Sequence, residues 1–168
     1  MKYKHKPSQI LLEYFLTVTP TDEDGPLLKR VLEPHSHDNE NPEWYGFHSK
    51  EPDSDYVGDN VVTFYTTTPL QDGRLMVGET IQHPGVQIRV RSTDDGTGYR
   101  KIAAFEPACD AIHRHTVTLE NEGGESGTTA YLIHAVSRAS GILPLGSIPN
   151  QDLFIHTINF TMTIAVIG

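Results

Sequence analysis

The chain contains nine histidines, and two of them are spaced for a metal. In an extended segment His35 and His37 would share one face, with Asp38 beside them as an oxygen donor. Such a set would be the centre of a small metal-dependent enzyme, but it lacks a third ligand at regular spacing, and a solvated loop is the simpler reading. His113 and His115 follow a helical stretch, where the negative end of the helix dipole accounts for them. Nucleophilic catalysis finds no Gly-x-Ser-x-Gly elbow, and the single cysteine, Cys109, falls on an apolar stripe as a small buried hydrophobe would. Gly123-Gly124-Glu125-Ser126-Gly127 has neither the lysine nor the setting of a phosphate loop, so it reads as a hairpin tip. Asp94 and Asp95 precede Gly96 in a turn, where carboxylates bond the backbone. No catalytic set, metal site or cofactor is predicted.

Two arginines remain. Val86, Ile88 and Val90 alternate with Gln87, Arg89 and Arg91, the pattern of a strand with one face on a core, and Pro84-Gly85 marks the turn before it. The plain expectation is that Arg89 and Arg91 stand on an exposed face beside cross-strand partners. The sharper one is that their guanidinium forks meet carboxylates of another subunit.

Charge suggests where those carboxylates lie. The 168 residues carry 13 Lys+Arg against 22 Asp+Glu, a net charge of −9, so sequence-independent binding to nucleic acid is not expected. Residues 33–60 concentrate the acidity in Glu33, Asp38, Glu40, Glu43, Glu51, Asp53, Asp55 and Asp59, with Lys50 the only base. Prolines and weak periodicity make this segment a long acidic loop or insertion. Trp44, Tyr45 and Phe47 within it favour an arm that contacts a partner, because aromatics in a polar loop usually pack on something. One cysteine allows no intramolecular disulfide. The apolar run from Ile10 to Val18 is short and interrupted by Glu13, so neither a signal peptide nor a membrane partner is expected.

The supporting elements can be read from periodicity. Ser8 is placed to cap an amphipathic helix built on Ile10, Leu11, Tyr14, Phe15 and Val18, which Thr19-Pro20 ends. Pro26 opens a short second helix. Val61–Thr67 and residues 86–92 read as strands. Thr97-Gly98 opens a helix in which Ile102, Phe105, Cys109 and Ile112 form one stripe, kinked or divided at Pro107. Residues 116–119 and 128–138 form a hairpin, a loop runs through Gly141, Pro144, Gly146 and Pro149, and a long alternating strand spans 154–166 with a threonine-rich outer face. The expected fold is a single α+β domain over residues 1–168: a predominantly antiparallel sheet, two main helices on one face, and the acidic arm.

Three stretches resemble, in order and spacing, the tail terminator and minor capsid proteins of tailed bacteriophages. They are Pro84-Gly85-Val86-Gln87-Ile88-Arg89-Val90-Arg91-Ser92, then Gly98-Tyr99, then Ile142-Leu143-Pro144-Leu145-Gly146 leading into Ile158-Asn159-Phe160-Thr161-Met162-Thr163-Ile164. The resemblance implies a non-enzymatic virion protein, assembled in the host cytoplasm, that forms a homo-oligomeric, typically hexameric, ring on the head-proximal end of the tail tube. Its partners would be the tail tube protein, neck or connector proteins and, as passing cargo, genomic DNA. A neck adaptor or stopper is the nearest alternative. In such a ring Glu120, Glu122 and Glu125 are expected to face the lumen, and Arg89, Arg91, Trp44, Tyr45 and Phe47 to meet a neighbour.

Overall fold

The long alternation near the C-terminal end becomes the strand around which the sheet is built. A computed structural model describes residues 4–19, 26–32, 45–48, 61–67, 83–148 and 153–167, with the backbone alone for 45–48 and 148. In chain order the elements are α1 (Pro7–Thr17), α2 (Leu27–Leu32), β1 (Tyr45–His48), β2 (Val61–Thr67), β3 (Gly85–Ser92), α3 (Asp95–Asp110), β4 (His113–Glu120), β5 (Thr128–Arg138), β6 (Leu143–Ile148) and β7 (Leu153–Val166). The sheet runs β1-β2-β3-β7-β5-β4, with β6 also on β7. Every pairing is antiparallel except β1 with β2. This is the expected α+β architecture with a mainly antiparallel sheet.

Strand β7 holds three neighbours because it is long. β3 pairs along residues 154–161, and the opposite edge is divided between β6, at 153–157, and β5, at 160–166. Its even-numbered residues Ile158, Phe160, Met162 and Ile164 are buried in one core with Val62 and Phe64 of β2, Val86, Ile88 and Val90 of β3, and Tyr131 and Ile133 of β5. The helices close that core from the same side. Phe15 of α1, Phe64 of β2 and Phe105 of α3 meet with ring centroids 5.3 to 6.0 Å apart, Phe105 edge-on to both of the others and Phe15 tilted on Phe64, contacts that add to the burial of each ring. α2 brings Leu28, Val31 and Leu32 into the same cluster.

The elements depart from the sequence reading in ways with local causes. Helix α1 starts one residue earlier than the expected cap: Lys6 is the N-cap and Pro7 occupies the first turn, where a missing N–H costs nothing. Ser8 is instead buried, its hydroxyl accepting from Thr66 Oγ1 at 2.9 Å. Helix α3 begins at Asp95, because the Asp94 carboxylate accepts from the Thr97 N–H at 2.8 Å and caps it. It runs unbroken to Asp110 with Pro107 in its last turn; the proline supplies no N–H for its own helical bond, but its carbonyl still accepts from the Ala111 N–H at 3.1 Å. His113 and His115 are not at a helix terminus but open β4, with His115 edge-on to Tyr14 at 5.0 Å. Two strands stand where the sequence predicts loop: β1 inside the acidic segment, and β6, which Pro144 and Gly146 deprive of alternation.

Candidate assembly surfaces

The second face of the sheet carries the residues expected to meet a neighbour. Cross-strand rows there run Val61–Arg91–Ile155, Thr63–Arg89–Thr157 and Tyr65–Gln87–Asn159. Polar contacts tie the rows together. The Arg89 guanidinium lies 5.1 Å from the centroid of the Tyr65 ring, Gln87 donates to Asn159 Oδ1 at 3.2 Å, and Asn159 donates to Ser140 Oγ at 3.2 Å. Farther along, His83 Nδ1 is 3.1 Å from Thr163 Oγ1. The expectation of two exposed arginines is corrected here. Arg91 is only 3% exposed, beside Val61 at 0%, and Arg89 is half-buried, so this half of the second face is covered rather than open. Of the aromatics in the acidic segment, Tyr45 and Phe47 belong to edge strand β1, in register with Val61 and Thr63. Trp44 lies outside the described residues, as do His35, His37 and Asp38. Among the described residues no group of three His, Cys, Asp or Glu side chains is arranged to hold a metal.

The β4–β5 hairpin presents Glu120, Glu122 and Glu125, and the side chains of two of these are engaged by Lys4, just before α1, and Gln9, in its first turn. Lys4 Nζ reaches Glu125 at 2.8 Å, which holds the Glu125 carboxyl below its ordinary value through that hydrogen bond. Gln9 donates to Glu122 Oε1 at 2.8 Å. Between them His5, almost wholly buried, uses both ring nitrogens. Nε2 is 2.7 Å from the Glu120 carbonyl, which can only accept, so Nε2 carries the proton and Nδ1 accepts from the Tyr131 hydroxyl at 2.8 Å. That hydroxyl in turn accepts from the His5 backbone N–H at 3.1 Å. Burial pushes the Tyr131 phenol up, partly offset by the His5 and Lys4 backbone and the Lys4 charge. An open cleft of about 620 Å³ lies alongside, lined by Gln9, Glu13, Thr118, Glu120, Asn121 and Glu122. It is an acidic groove against α1.

The residues behind the family resemblance converge on one unit that sequence reasoning did not assemble. β3 lies along β7 from Gly85 against Thr161 to Ser92 against Phe154, and the Pro84 carbonyl accepts from the Met162 N–H at 2.9 Å. Pro144 of β6 faces His156 of β7. His156 is 2% exposed and donates through Nε2 to Asp95 Oδ1 at 3.1 Å. Its other nitrogen, Nδ1, is buried without a hydrogen-bond partner and points at Gly98 of α3. A Cβ at residue 98 would sit 2.9 Å from Nδ1 and 3.1 Å from Ser92 Cβ, so only glycine lets the first turn of α3 lie this close to the sheet. The signal was present in the alternation, where His156 takes a core-facing position among apolar residues. Its helix partner was not.

Next to this unit β6 carries Leu143 and Leu145, 45% and 54% exposed, and Tyr99 of α3 is 53% exposed with its ring 6.3 Å from that of His156. The strand is bulged between Pro144 and Ser147, with Gly146 at φ +79°. Proline and a bulge are devices that discourage edge-to-edge pairing, so β6 offers apolar side chains rather than an open ladder. Among the described residues no helix is long and apolar enough to cross a membrane.

The fold and these surfaces define a small α+β protein with a polar, partly covered sheet face and a hairpin strapped to the first helix. No protein-family model matches the chain, and no curated protein matches it.

Proposed function

We propose that this protein is an assembly subunit of a tailed-phage virion, forming a ring that ends the tail tube and joins it to the neck. The observation that supports the reading most is the convergence of the three resembling stretches. Residues 84–92 with Gly98-Tyr99, and 142–146 with 158–164, are two groups more than 40 residues apart in the chain, yet they build one continuous piece, β3, the start of α3, β6 and β7. A ring uses a heterologous contact, one patch against a different patch on the next copy. The exposed apolar residues of β6 and the polar hairpin at the opposite end of β5 supply two such unlike patches. Electron microscopy of the purified chain, alone and mixed with tail tubes, tests the reading. Rings, or caps on tube ends, are expected, and a chain that stays monomeric and never binds tubes would overturn it. Phage lacking the protein should make overlong or unjoined tails, whereas normal tails with leaking heads would favour a stopper.

A further inference from the structure

Arg114 stands apart from every other base in the described residues. Lys4 and Arg138 are in ion pairs, Arg100 bonds Thr97, Arg89 lies over Tyr65, and Lys6, Lys29, Arg30, Arg91 and Lys101 also have partners. Among the described residues only the Arg114 side chain has none, and it is exposed. Its backbone is unusual as well. Its φ of 47° makes it the one non-glycine residue described with a positive φ, in the sparsely populated left-handed region that such residues enter chiefly where surrounding structure imposes it.

The pairs His113 with Ala135 and His115 with Ile133 set His134 across from Arg114. On the other side of β5 the ladder with β7 shifts between Ile133 and Ala135, so His134 is also the irregular residue there. An exposed, unpartnered guanidinium at one corner of the sheet suits a carboxylate or phosphate, which a planar fork can hold with two hydrogen bonds. The charge pattern favours carboxylates of the same protein. The described residues hold 10 Lys+Arg against 8 Asp+Glu, and the remainder of the chain holds 3 against 14. A polyanionic duplex would be repelled by the chain as a whole, whereas another copy brings dense carboxylates to a nearly neutral scaffold.

We infer that the Arg114 corner is one half of the contact between copies, receiving carboxylates of a second copy of this chain. The inference rests on the ring reading, and it moves the electrostatic contact from Arg89 and Arg91, which the sheet covers, to Arg114. Sedimentation velocity on the full chain at low and high salt tests it, with Arg114→Glu and Arg114→Gly compared to the unaltered protein. Glycine accepts the positive φ, so Arg114→Gly should melt no lower than the unaltered chain yet, like Arg114→Glu, raise the dissociation constant of the assembly about tenfold or more. Assembly should also weaken as salt rises. Unchanged assembly in both variants would overturn the inference and leave the ring reading standing, while a chain that stays monomeric at every salt concentration and with tubes would overturn both. Saturable binding of duplex DNA at physiological salt that Arg114→Glu abolishes would replace the second copy with nucleic acid.

Discussion

Replacing Gly98 by alanine sets two effects of opposite sign against each other, and the geometry decides between them. In a helix, alanine is favoured over glycine by about 1 kcal/mol. At residue 98 the new methyl group would lie 2.9 Å from His156 Nδ1, 3.2 Å from His156 Cε1 and 3.1 Å from Ser92 Cβ. His156 cannot swing aside, because it is 2% exposed, its Nε2 is held by Asp95, and Ser92 is itself fully buried. Overpacking of this kind costs about 1 to 3 kcal/mol, so the net effect should run from about neutral to a loss of about 2 kcal/mol. For a chain of this size that is a drop of up to roughly 8 °C in Tm. Gly96 is the control within the same helical turn. A Cβ there meets Asp94 Oδ2 at 3.5 Å and Arg100 Nη1 at 3.8 Å, ordinary contacts, so Gly96→Ala should stabilise by a few tenths of a kcal/mol up to about 1. Thermal melts and urea titrations of the two variants read the difference directly. If the clash is the cause, His156→Ala combined with Gly98→Ala should cost less than the sum of the single changes. Gly98→Ala as stable as Gly96→Ala would refute the close packing of α3 on His156.

Phe105→Ala should cost about 3 to 5 kcal/mol by urea denaturation, since it removes the ring that meets both Phe15 and Phe64; a loss below about 1 kcal/mol would refute the aromatic hinge between helices and sheet. Arg91→Glu should destabilise the fold by about 3 kcal/mol or more because the site is buried, whereas Arg89→Glu, losing a half-buried cation–π contact, should cost about 1 kcal/mol. Equal effects would return both to a common exposed face. Tyr131→Phe should cost about 1 to 3 kcal/mol by stranding the His5 N–H and Nδ1. Tyr14 and Tyr131 both have phenols raised in the fold, so the stability they contribute is whole below a pH of about 10 and is lost as pH rises above it. Denaturation at pH 9 and pH 11 should show that fall, reduced in Tyr131→Phe. Cys109 is fully buried and burial raises its thiol, so a thiol reagent should label it only at the rate of unfolding.

Much of the fold is legible where one period persists. Strand β5 covers the expected 128–138, and β7 exceeds its expected range by a single residue, because each faces the helices on one side only and therefore alternates cleanly. β1 and β6 escaped for a shared reason. Edge strands need satisfy only one neighbour, so they tolerate acidic surroundings, proline and a bulge that erase the pattern. The capping of α3 was half visible: Asp94 was read as a residue that bonds backbone, and it does, but the helix starts at the next residue rather than at Thr97. The Gly98–His156 contact was invisible as a contact, since nothing in a strand's alternation names the helix that will cover it.

The two arginines show the same limit from the other side. Alternation in β3 correctly assigned Arg89 and Arg91 to the face opposite Val86, Ile88 and Val90, but a face turned away from one core is not thereby exposed. Val61 and Thr157 on the same rows are fully buried, and the guanidinium of Arg91 is enclosed with them. Arg114, in contrast, follows no useful period: it opens β4 in a backbone conformation with positive φ, outside the rows that hold Arg89 and Arg91. The described base that engages nothing therefore stands where the pattern fails, across from His134.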